Sequence, residues 1–402
     1  MTEGLTGGEK QKESPLPEMN RKVLWLLTGT TVLAVGNIYY AQPLLNEIAA
    51  SFQLLPSSTG TIPMLSQLGY VAGLLLITPL GDVMEKRNLL VGLLLASSIA
   101  LLAAGLAPHF SFFLLACLAI GLSSVLVQII IPFVAFLSPA KDRGKNLGAI
   151  LSAALVGVLV SRTLSGILGH QWGWRGMYFA VSAILLVLAI LMGLYLPKYE
   201  PTTRLAYPAL IRTVYTLFKT LPKLRAIAIT GALLYAALSA FWVTLAFYLH
   251  DTYQAGPQTV GMFGLVGAAG ALSANIVGRH AERIGVRRVI DICIGLMLAA
   301  WLVFLNFGSS WIGMIFGVLI LDIGAQSATV SNQTDLYRLY PEAQTRLNTI
   351  YKMFYFCGGA CGSALSAIAW EHYGWRGVCF LGIDLLIAAY IWEQTWRRSS
   401  YA

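Results

Sequence analysis

Residues Gly176–Leu196 read GMYFAVSAILLVLAILMGLYL, a run of 21 residues without a charged side chain. A helix of about 20 apolar residues spans the hydrocarbon core of a bilayer, so this run predicts a transmembrane helix. The tetrapeptide Gly173-Trp174-Arg175-Gly176 leads into it. The same tetrapeptide, Gly374-Trp375-Arg376-Gly377, leads into a second apolar run 201 residues later. The chain therefore consists of membrane spans arranged in two related halves.

The composition of the whole chain agrees with this interpretation. Of the 402 residues, 57% are apolar and only 11% are charged. An average soluble domain has about 25% charged residues, so this chain has too few charges to coat a soluble surface. Soluble enzymes, nucleic-acid-binding proteins, coiled coils and disordered proteins are excluded on this ground. Twelve spans need about 240 residues, which leaves ample sequence for short loops.

The apolar runs divide the chain into five parts. The tail 1–22 is polar and is expected to be a disordered cytoplasmic segment, followed by a six-helix bundle over 23–197. The stretch 198–225 is a cytoplasmic linker with an amphipathic helix on the membrane surface. A second six-helix bundle covers 226–396, and 397–402 is a short cytoplasmic tail. The twelve predicted spans are Val23–Ala49, Ile62–Leu80, Leu89–Leu106, Phe112–Leu137, Leu147–Leu168, Gly176–Leu196, Ala226–Leu249, Val260–Val277, Val289–Asn306, Ile312–Val330, Thr349–Trp370 and Gly377–Trp392.

Lysine and arginine alternate between the loops in the way that a twelve-span topology requires. Of the 27 basic residues, 23 lie in the two tails, the linker and the loops on the same side as these segments. The opposite loops hold only Arg175 and Arg376. Because positive charge marks the cytoplasmic side, we expect both termini to be cytoplasmic. The net charge of +9 thus reflects topology rather than nucleic-acid binding.

Two short motifs identify a family resemblance. The loop after the eighth run carries Gly278, Glu282, Arg283, Gly285 and Arg287, and the loop after the second run carries Asp82, Lys86 and Arg87. Both copies are similar to the loop signature Gly-x-x-x-Asp-Arg-x-Gly-Arg-Lys of the major facilitator superfamily. The resemblance implies an all-α fold of twelve transmembrane helices in two pseudo-symmetric six-helix bundles. It also implies gating by the loop residues Asp82, Lys86, Arg87, Glu282, Arg283, Arg287 and Arg288.

The fifth run carries a second resemblance. Proton-driven drug antiporters have Gly-x-x-x-Gly-Pro-x-x-Gly-Gly here, and this chain has Gly157, Ser161, Arg162, Ser165 and Gly166. The small residues predict close helix packing, whereas Arg162 replaces the proline of the pattern. The segment NIYYAQPLL at 37–45 resembles a group of bacterial, efflux-type members of the superfamily.

Besides Glu47 and Asp291, which lie within two residues of a run end, four charged residues lie inside apolar runs. A charge there costs at least about 2.5–3.5 kcal/mol and therefore has a function or a partner. Asp322 and Asp384 are the first and second candidates for a proton-carrying carboxylate, and Arg162 is the candidate partner of either. The alternative for each is a fixed structural ion pair. Lys352 is expected to reach toward the cytoplasmic headgroups.

Polar and aromatic side chains within the runs are the candidates for a substrate cavity. The tryptophans Trp172, Trp174 and Trp375 are expected in the aromatic belt at the opposite membrane surface. The cavity candidates are Asn37, Tyr40, Gln42, Gln128, Gln326, Trp242 and Tyr355.

These patterns favour a secondary active transporter of the bacterial inner membrane that works by alternating access. We expect proton-coupled efflux of small organic or amphiphilic compounds, with membrane lipid and the substrate as partners, by a monomer. An alternative is uptake or exchange of an anionic metabolite with Arg162 as the anion anchor. A membrane enzyme or a non-transporting sensor is a third possibility, but we find no catalytic dyad, metal-ligand spacing or cofactor motif.

Overall fold

The computed structural model describes residues 19–198, 207–339 and 344–399, and regular structure within them is helical. For residues 208–211, 271–284 and 399 only the backbone is described. A short 3₁₀ helix covers Gln42–Leu44. The α-helices are α1 (Arg21–Gly36), α2 (Leu45–Phe52), α3 (Pro56–Thr59), α4 (Thr61–Leu76), α5 (Leu80–Val83), α6 (Lys86–Gly105), α7 (Phe110–Ser123), α8 (Leu126–Leu137), α9 (Arg143–Tyr195), α10 (Tyr207–Thr220), α11 (Pro222–Tyr253), α12 (Pro257–Ile284), α13 (Val286–Phe307), α14 (Trp311–Leu339) and α15 (Gln344–Ser399).

The helices provide twelve spans. Within the described residues, eight continuous segments are long and apolar enough to cross a membrane. Two of them, α9 and α15, each turn at one internal glycine and cross twice, which raises the number to ten. The broken pair α1 and α2 forms the first span, and α12, with 28 residues, forms the eighth. The predicted all-α fold of twelve spans in two six-helix bundles is confirmed.

The turns inside α9 and α15 occur at the repeated tetrapeptide. Gly173 has φ 71° and Gly374 has φ 59°, a region that side chains with a Cβ rarely adopt. Each turn directs the following tryptophan back into its own half. Trp174 is 5% exposed and packs against Phe113 at 5.3 Å, so its expected place in the interfacial belt is wrong. Its burial is explained by the glycine turn, which reverses the chain just before it.

The first span is interrupted near its middle. Helix α1 ends at Gly36, the chain forms turns over residues 37–41, and the 3₁₀ helix leads into α2. Pro43 lies in this interruption and has no backbone N–H to donate. The hydroxyl of Ser165 on α9 donates to the carbonyl oxygen of Tyr40. Side chains of neighbouring helices therefore satisfy backbone groups that the break leaves free.

The two halves meet mainly through α9 with α12 and through α3 and α4 with α15, and to a smaller extent through α2 with α11. We call the end of the bundle that holds Gly173 and Gly374 the Gly-Trp-Arg end, and the opposite end the basic end. Contacts between the halves run from the Gly-Trp-Arg end, where Ser57 meets Glu371, to about mid-depth, where Tyr70 packs on Phe356. Helices α8 and α14 pack chiefly within their own halves.

Glycines allow the helices of each half to approach closely. A Cβ built on Gly121 of α7 would collide with the backbone oxygen of Ser66 on α4, so this contact has no room for a side chain. Gly92, in the interior of α6, would meet nothing within 4 Å. Both glycines lie in helices, but Gly92 has room for a side chain and Gly121 does not.

We expect Gly121→Ala to destabilise the protein by about 1–3 kcal/mol, because the added methyl group forces α4 and α7 apart. Gly92→Ala is the matched control and should be neutral or stabilising by up to about 1 kcal/mol, through higher helix propensity. The apparent melting temperatures of both purified variants in detergent test the difference. Equal melting temperatures would contradict the packing assigned to Gly121.

Candidate functional site

Arg162 is the centre of a polar cluster between the halves. Its side chain is 5% exposed and its Nε donates to Gln42 Oε1 at 2.8 Å. The guanidinium carbon lies 3.8 Å from the centre of the Trp242 ring and 5.0 Å from that of Tyr39. A desolvated cation–π contact with tryptophan contributes about 2 kcal/mol, which offsets much of the cost of burying the charge. Residues of both halves thus hold the arginine in place.

Asp322 of α14 faces the same cluster. It is 3% exposed, and its Oδ2 has no hydrogen-bond partner. The carboxylate lies against α12: a Cβ at Gly267 would stand 2.8 Å from Oδ2, and one at Gly270 would stand 3.0 Å from the Asp322 Cβ. The same Gly267 position would lie 3.1 Å from Trp242. The glycines therefore make the space in which the carboxylate and the indole meet.

Arg162 and Asp322 interact electrostatically without forming a direct ion pair. Each is among the charges that act on the other, but no nitrogen–oxygen distance between them falls within 4.0 Å. Trp242 contacts the arginine and lies beside the carboxylate, and its own Nε1 has no partner. The arrangement therefore keeps two opposite charges close but separate, with free hydrogen-bonding capacity at the carboxylate and the indole.

An aromatic array continues from this cluster toward the basic end. Tyr39 Oη lies 3.3 Å from Tyr235 Oη, which joins the two halves. Tyr235 stacks on Tyr355 with ring centres 3.9 Å apart and planes inclined by 16°. Phe356 packs edge-on against Tyr235 at 5.5 Å and also contacts Tyr70 of the first half at 4.4 Å. The array provides flat faces on which a ring can stack.

Sequence reasoning missed a polar seam between α4, α11 and α15. Gln67 Nε2 donates to Ser239 Oγ and to Ser363 Oγ, both at 3.3 Å, and the two serines lie 2.8 Å apart. Gln67 is 1% exposed and its Oε1 has no partner. The sequence did contain one signal for this seam, the amide side chain of Gln67 inside the apolar run 62–80. The serines gave none, because serine is common in membrane helices.

The other cavity candidates lie around these clusters. Asn37 is 4% exposed with both amide atoms unpartnered, whereas Tyr40 is 1% exposed and donates to the Leu33 carbonyl oxygen. Gln128 is half-buried and donates to Tyr70 Oη at 3.1 Å. Gln326 is half-buried one turn after Asp322. The structure thus brings Gln42, Trp242 and Tyr355 into the central clusters and places Gln128 at the edge of the aromatic array.

Asp384 is not part of the site. It lies about halfway along the second arm of α15, and its side chain is exposed on the outside of the bundle. Its neighbours one turn away, Phe380 and Ile387, are 55% and 44% exposed. Of the two carboxylates that the sequence offers as partners of Arg162, Asp384 is therefore the one that the structure places away from it. Both faces of a membrane helix are apolar, so the sequence could not assign Asp384 to either.

The small residues of the fifth span pack against two different helices. A Cβ at Gly157 would collide with Val32 of α1, and a Cβ at Gly36 of α1 would collide with Ser161. The first part of the motif therefore faces α1. A Cβ at Gly166 would collide with the Pro257 carbonyl oxygen of α12, in the other half. Ser165 and Ser161 lie between these contacts, next to Arg162. The motif therefore places the arginine where three helices meet.

The gating-loop candidates lie at the basic end, far from Arg162. Asp82 is exposed and acts electrostatically on Lys86, and Arg87 donates to the Gly193 carbonyl oxygen. The backbone oxygen of Arg287 accepts from Arg397, and Arg288 is exposed. The side chains of Glu282 and Arg283 lie outside the described residues.

An ion-pair network adjoins these residues in the second half. Arg397 contacts Asp291 Oδ2 at 2.6 Å and Glu393 Oε1 at 3.2 Å. Lys223 contacts Asp335 at 2.7 Å. These pairs join the ends of α11, α13, α14 and α15 at the basic end.

Hydrogen bonds between the halves close the Gly-Trp-Arg end. Glu371 Oε2 accepts from the backbone N–H of Ser57, at the N-terminus of α3, at 2.9 Å. Asn46 Nδ2 donates to the Ala246 carbonyl oxygen at 2.8 Å, and Thr163 donates to the Gly261 carbonyl oxygen at 2.9 Å. In this conformation the central cluster is therefore covered from the Gly-Trp-Arg end.

Comparison with known sequences connects this architecture to one family. The model of the Major Facilitator Superfamily matches residues 24–282 and 227–394. The uncharacterized transporter YgaY of Escherichia coli O157:H7 is 37% identical over 96% of this chain and 99% of its own length. The probable transporter SCO4007 of Streptomyces coelicolor is 31% identical over 92% and 86%. The multidrug resistance protein MdtG of Serratia proteamaculans is 23% identical over 79% of both chains.

Solved structures show the same fold. A bacterial homologue of the human lysosomal transporter Spinster superposes with a TM-score of 0.74 at 14% identity, over 93% of this chain and 95% of that one. The nucleoside transporter NupG superposes with a TM-score of 0.73 at 14% identity, over 94% and 99%. At this identity the likeness concerns the fold alone.

The charges of Arg162 and Asp322 should be coupled in their effect on stability. We expect Asp322→Asn to lower the melting temperature because it leaves the buried Arg162 without a nearby negative charge. Adding Arg162→Gln to the same chain should recover part of that loss. Melting temperatures of the two single variants and the double variant in detergent form the cycle, and additive losses would contradict the coupling.

Proposed function

The chain belongs to the major facilitator superfamily of secondary transporters, and we propose that it exports small organic or amphiphilic compounds in exchange for protons. The observation that carries the proposal is the carboxylate of Asp322, which is buried between the halves with an unpartnered oxygen and faces a fixed arginine. A transporter that couples flux to protons needs one group whose affinity for a proton changes between its two conformations.

The surroundings of Asp322 are suited to such a change. Burial favours a neutral carboxyl group, whereas water or a nearby cation favours the carboxylate. Arg162 lies on α9 and Asp322 on α14, in different halves, so a shift of one half relative to the other alters the separation of the two charges. Rocking of the halves would therefore load a proton in one conformation and release it in the other.

The distribution of positive charge supports an orientation with the basic end in the cytoplasm. With that orientation, the hydrogen bonds at the Gly-Trp-Arg end close the periplasmic side. The described conformation then corresponds to an inward-facing state, in which a compound enters from the cytoplasm. The direction of transport proposed here is supported by the name of MdtG, a multidrug resistance protein, among the relatives.

Uptake or exchange of an anionic metabolite is a second candidate. The observation in its favour is that the central region carries two cations, Arg162 and Lys352, against the single carboxylate of Asp322. In this alternative Arg162 binds the substrate anion directly, and its guanidinium is pre-oriented by Gln42 and Trp242.

The proposal predicts a proton flux that depends on both compound and Asp322. Everted membrane vesicles containing the protein are given a preset pH gradient, and lipophilic cations, sugars and organic anions are then added one at a time. We expect at least one compound to dissipate the gradient in wild type. In Asp322→Asn the same compound should produce no more flux than vesicles that lack the protein.

Asp384→Asn is the matched control, because it removes the other mid-membrane carboxylate, whose side chain lies outside the bundle. We expect this variant to retain the wild-type flux. Equal fluxes in wild type and Asp322→Asn would exclude Asp322 as the proton carrier. Loss of flux in Asp384→Asn alone would transfer the role to that residue.

A further inference from the structure

Two seams between the halves close the Gly-Trp-Arg end, and the sequence repeat relates one seam to the other. In the seam of α3 and α4 with α15, a Cβ built on Gly60 would stand 2.6 Å from the carbonyl oxygen of Ser363. In the seam of α12 with α9, a Cβ built on Gly261 would stand 2.6 Å from the carbonyl oxygen of Arg162. The two glycines are 201 positions apart, as are the two carbonyl groups, and this is the spacing of the Gly-Trp-Arg tetrapeptides. The seams are therefore packed alike at these glycines.

The outer ends of the two seams differ. Glu371 Oε2 on α15 accepts a hydrogen bond from the backbone N–H of Ser57 at 2.9 Å. Ser57 lies in the first turn of α3, where Leu55 occupies the cap position and has no polar side chain to bond the free N–H groups. The residue equivalent to Glu371 in the other seam is His170, 201 positions earlier, which acts electrostatically on Glu47 of its own half. Of the two equivalent positions, only that of Glu371 carries a carboxylate.

The bond between Glu371 and Ser57 stabilises the closed arrangement of this end. Helix α3 continues through Gly60 into α4, so its first turn is the start of the 28-residue segment Pro56–Val83. The free N–H groups at a helix start carry partial positive charge, which a carboxylate stabilises. The helix belongs to the first half and the carboxylate to the second. Their attraction therefore exists only while the halves are in contact at this end.

Glu371 lies just beyond the predicted span Thr349–Trp370 and is charged at neutral pH. Its contacts with the side chain and the backbone N–H of Ser57 hold the pKa of the carboxyl group below its usual range. The segment that faces it offers no competing charge, because residues 48–69 contain no titratable side chain. On its own helix the titratable neighbour is His372, which lowers the pKa further.

We propose that the bond between Glu371 and Ser57 is a gating contact: it holds the Gly-Trp-Arg end closed, and its release is a step in opening that end. The inference goes beyond the proposed export of compounds in exchange for protons. It needs only the movement of one half against the other on which alternating access depends, and it holds for either direction of transport. Because His170 takes the place of the carboxylate in the other seam, the gate depends on one such contact rather than two.

The test measures the separation of the halves at this end in the purified full-length protein. The variants His109→Cys and Ser310→Cys, combined in one chain, carry nitroxide spin labels at exposed positions of equivalent loops, one in each half. Cys357→Ala and Cys361→Ala remove the accessible thiols, and the other three cysteines are buried. Pulsed electron paramagnetic resonance then gives the distribution of distances between the labels. Opening of this end adds a longer distance to that distribution.

Substitutions of Glu371 in this labelled chain separate its charge from its hydrogen bond. Glu371→Ala removes the contact and should raise the fraction of the longer distance about two- to fivefold, the range expected for a solvent-exposed charged contact. Glu371→Gln keeps an acceptor without the charge and should give a smaller increase. Asp251→Asn is the matched control, because Asp251 is an exposed carboxylate at the same end that pairs with His250 of its own helix. An unchanged distribution in Glu371→Ala, or an equal increase in Asp251→Asn, would overturn the inference.

A purely structural role of Glu371 gives a different result. In that case Glu371→Ala lowers the melting temperature but leaves the distances of the folded protein as in wild type, which would contradict the gating contact. The distances are measured without substrate and without a proton gradient. A longer distance in Glu371→Ala together with equal proton flux in wild type and Asp322→Asn would support the gating contact and refute the proposed proton coupling. Proton flux that depends on Asp322, with unchanged distances in Glu371→Ala, would do the reverse.

Discussion

The structure depends on one constraint: a guanidinium and a carboxylate are both kept away from water at the seam between the two halves. Arg162 is held by an indole face and an amide oxygen rather than by a direct ion pair. A tight ion pair at this place would fix the halves in one arrangement. With Trp242 against the guanidinium, the two charges attract each other without direct contact.

Glycine and serine make this arrangement possible. The small residues of the fifth span pack against α1 and α12. In turn, glycines 261 and 264 of α12 pack against the fifth span, and glycines 267 and 270 pack against α14. Close backbone approach at these positions replaces the hydrophobic driving force that membrane helices lack. The same absence of side chains opens the space that Asp322 and Trp242 share. Packing and chemistry thus depend on the same small residues.

Much of the architecture could be predicted from the sequence because it depends on the order and length of segments along the chain. A bilayer requires apolar runs of a certain length, and these runs, the repeated tetrapeptide and the alternation of basic loops led to the twelve spans. The neighbours of each residue could not be predicted in this way. Lipid and protein interior are both apolar, so a membrane helix carries little amphipathic signal to say which face turns inward. Asp322 and Asp384 look equivalent in the sequence, yet one is buried at the seam and the other exposed.

Trp174 and Lys352 show the same limit in another form. Both residue types are common at membrane surfaces, which is where the sequence placed them. A glycine turn returns Trp174 to the bundle, and the ring of Tyr355 attracts Lys352 inward. Whether such a residue lies at the membrane surface or inside the bundle is decided by the neighbours it packs against, which the sequence does not give. The Gln67 seam was missed because its serine partners come from spans that are distant in sequence.

The two Gly-Trp-Arg turns also bear on how the protein is built. Trp174 packs with Phe52, Phe113 and Tyr178, all of the first half, and Trp375 packs with Tyr248 and Phe304, both of the second. Around its own Gly-Trp-Arg turn, each half therefore builds an aromatic cluster from its own rings. The rings around each Gly-Trp-Arg turn therefore stabilise the half in which they lie, and the attachment of one half to the other depends on different residues, such as Tyr70 and Phe356.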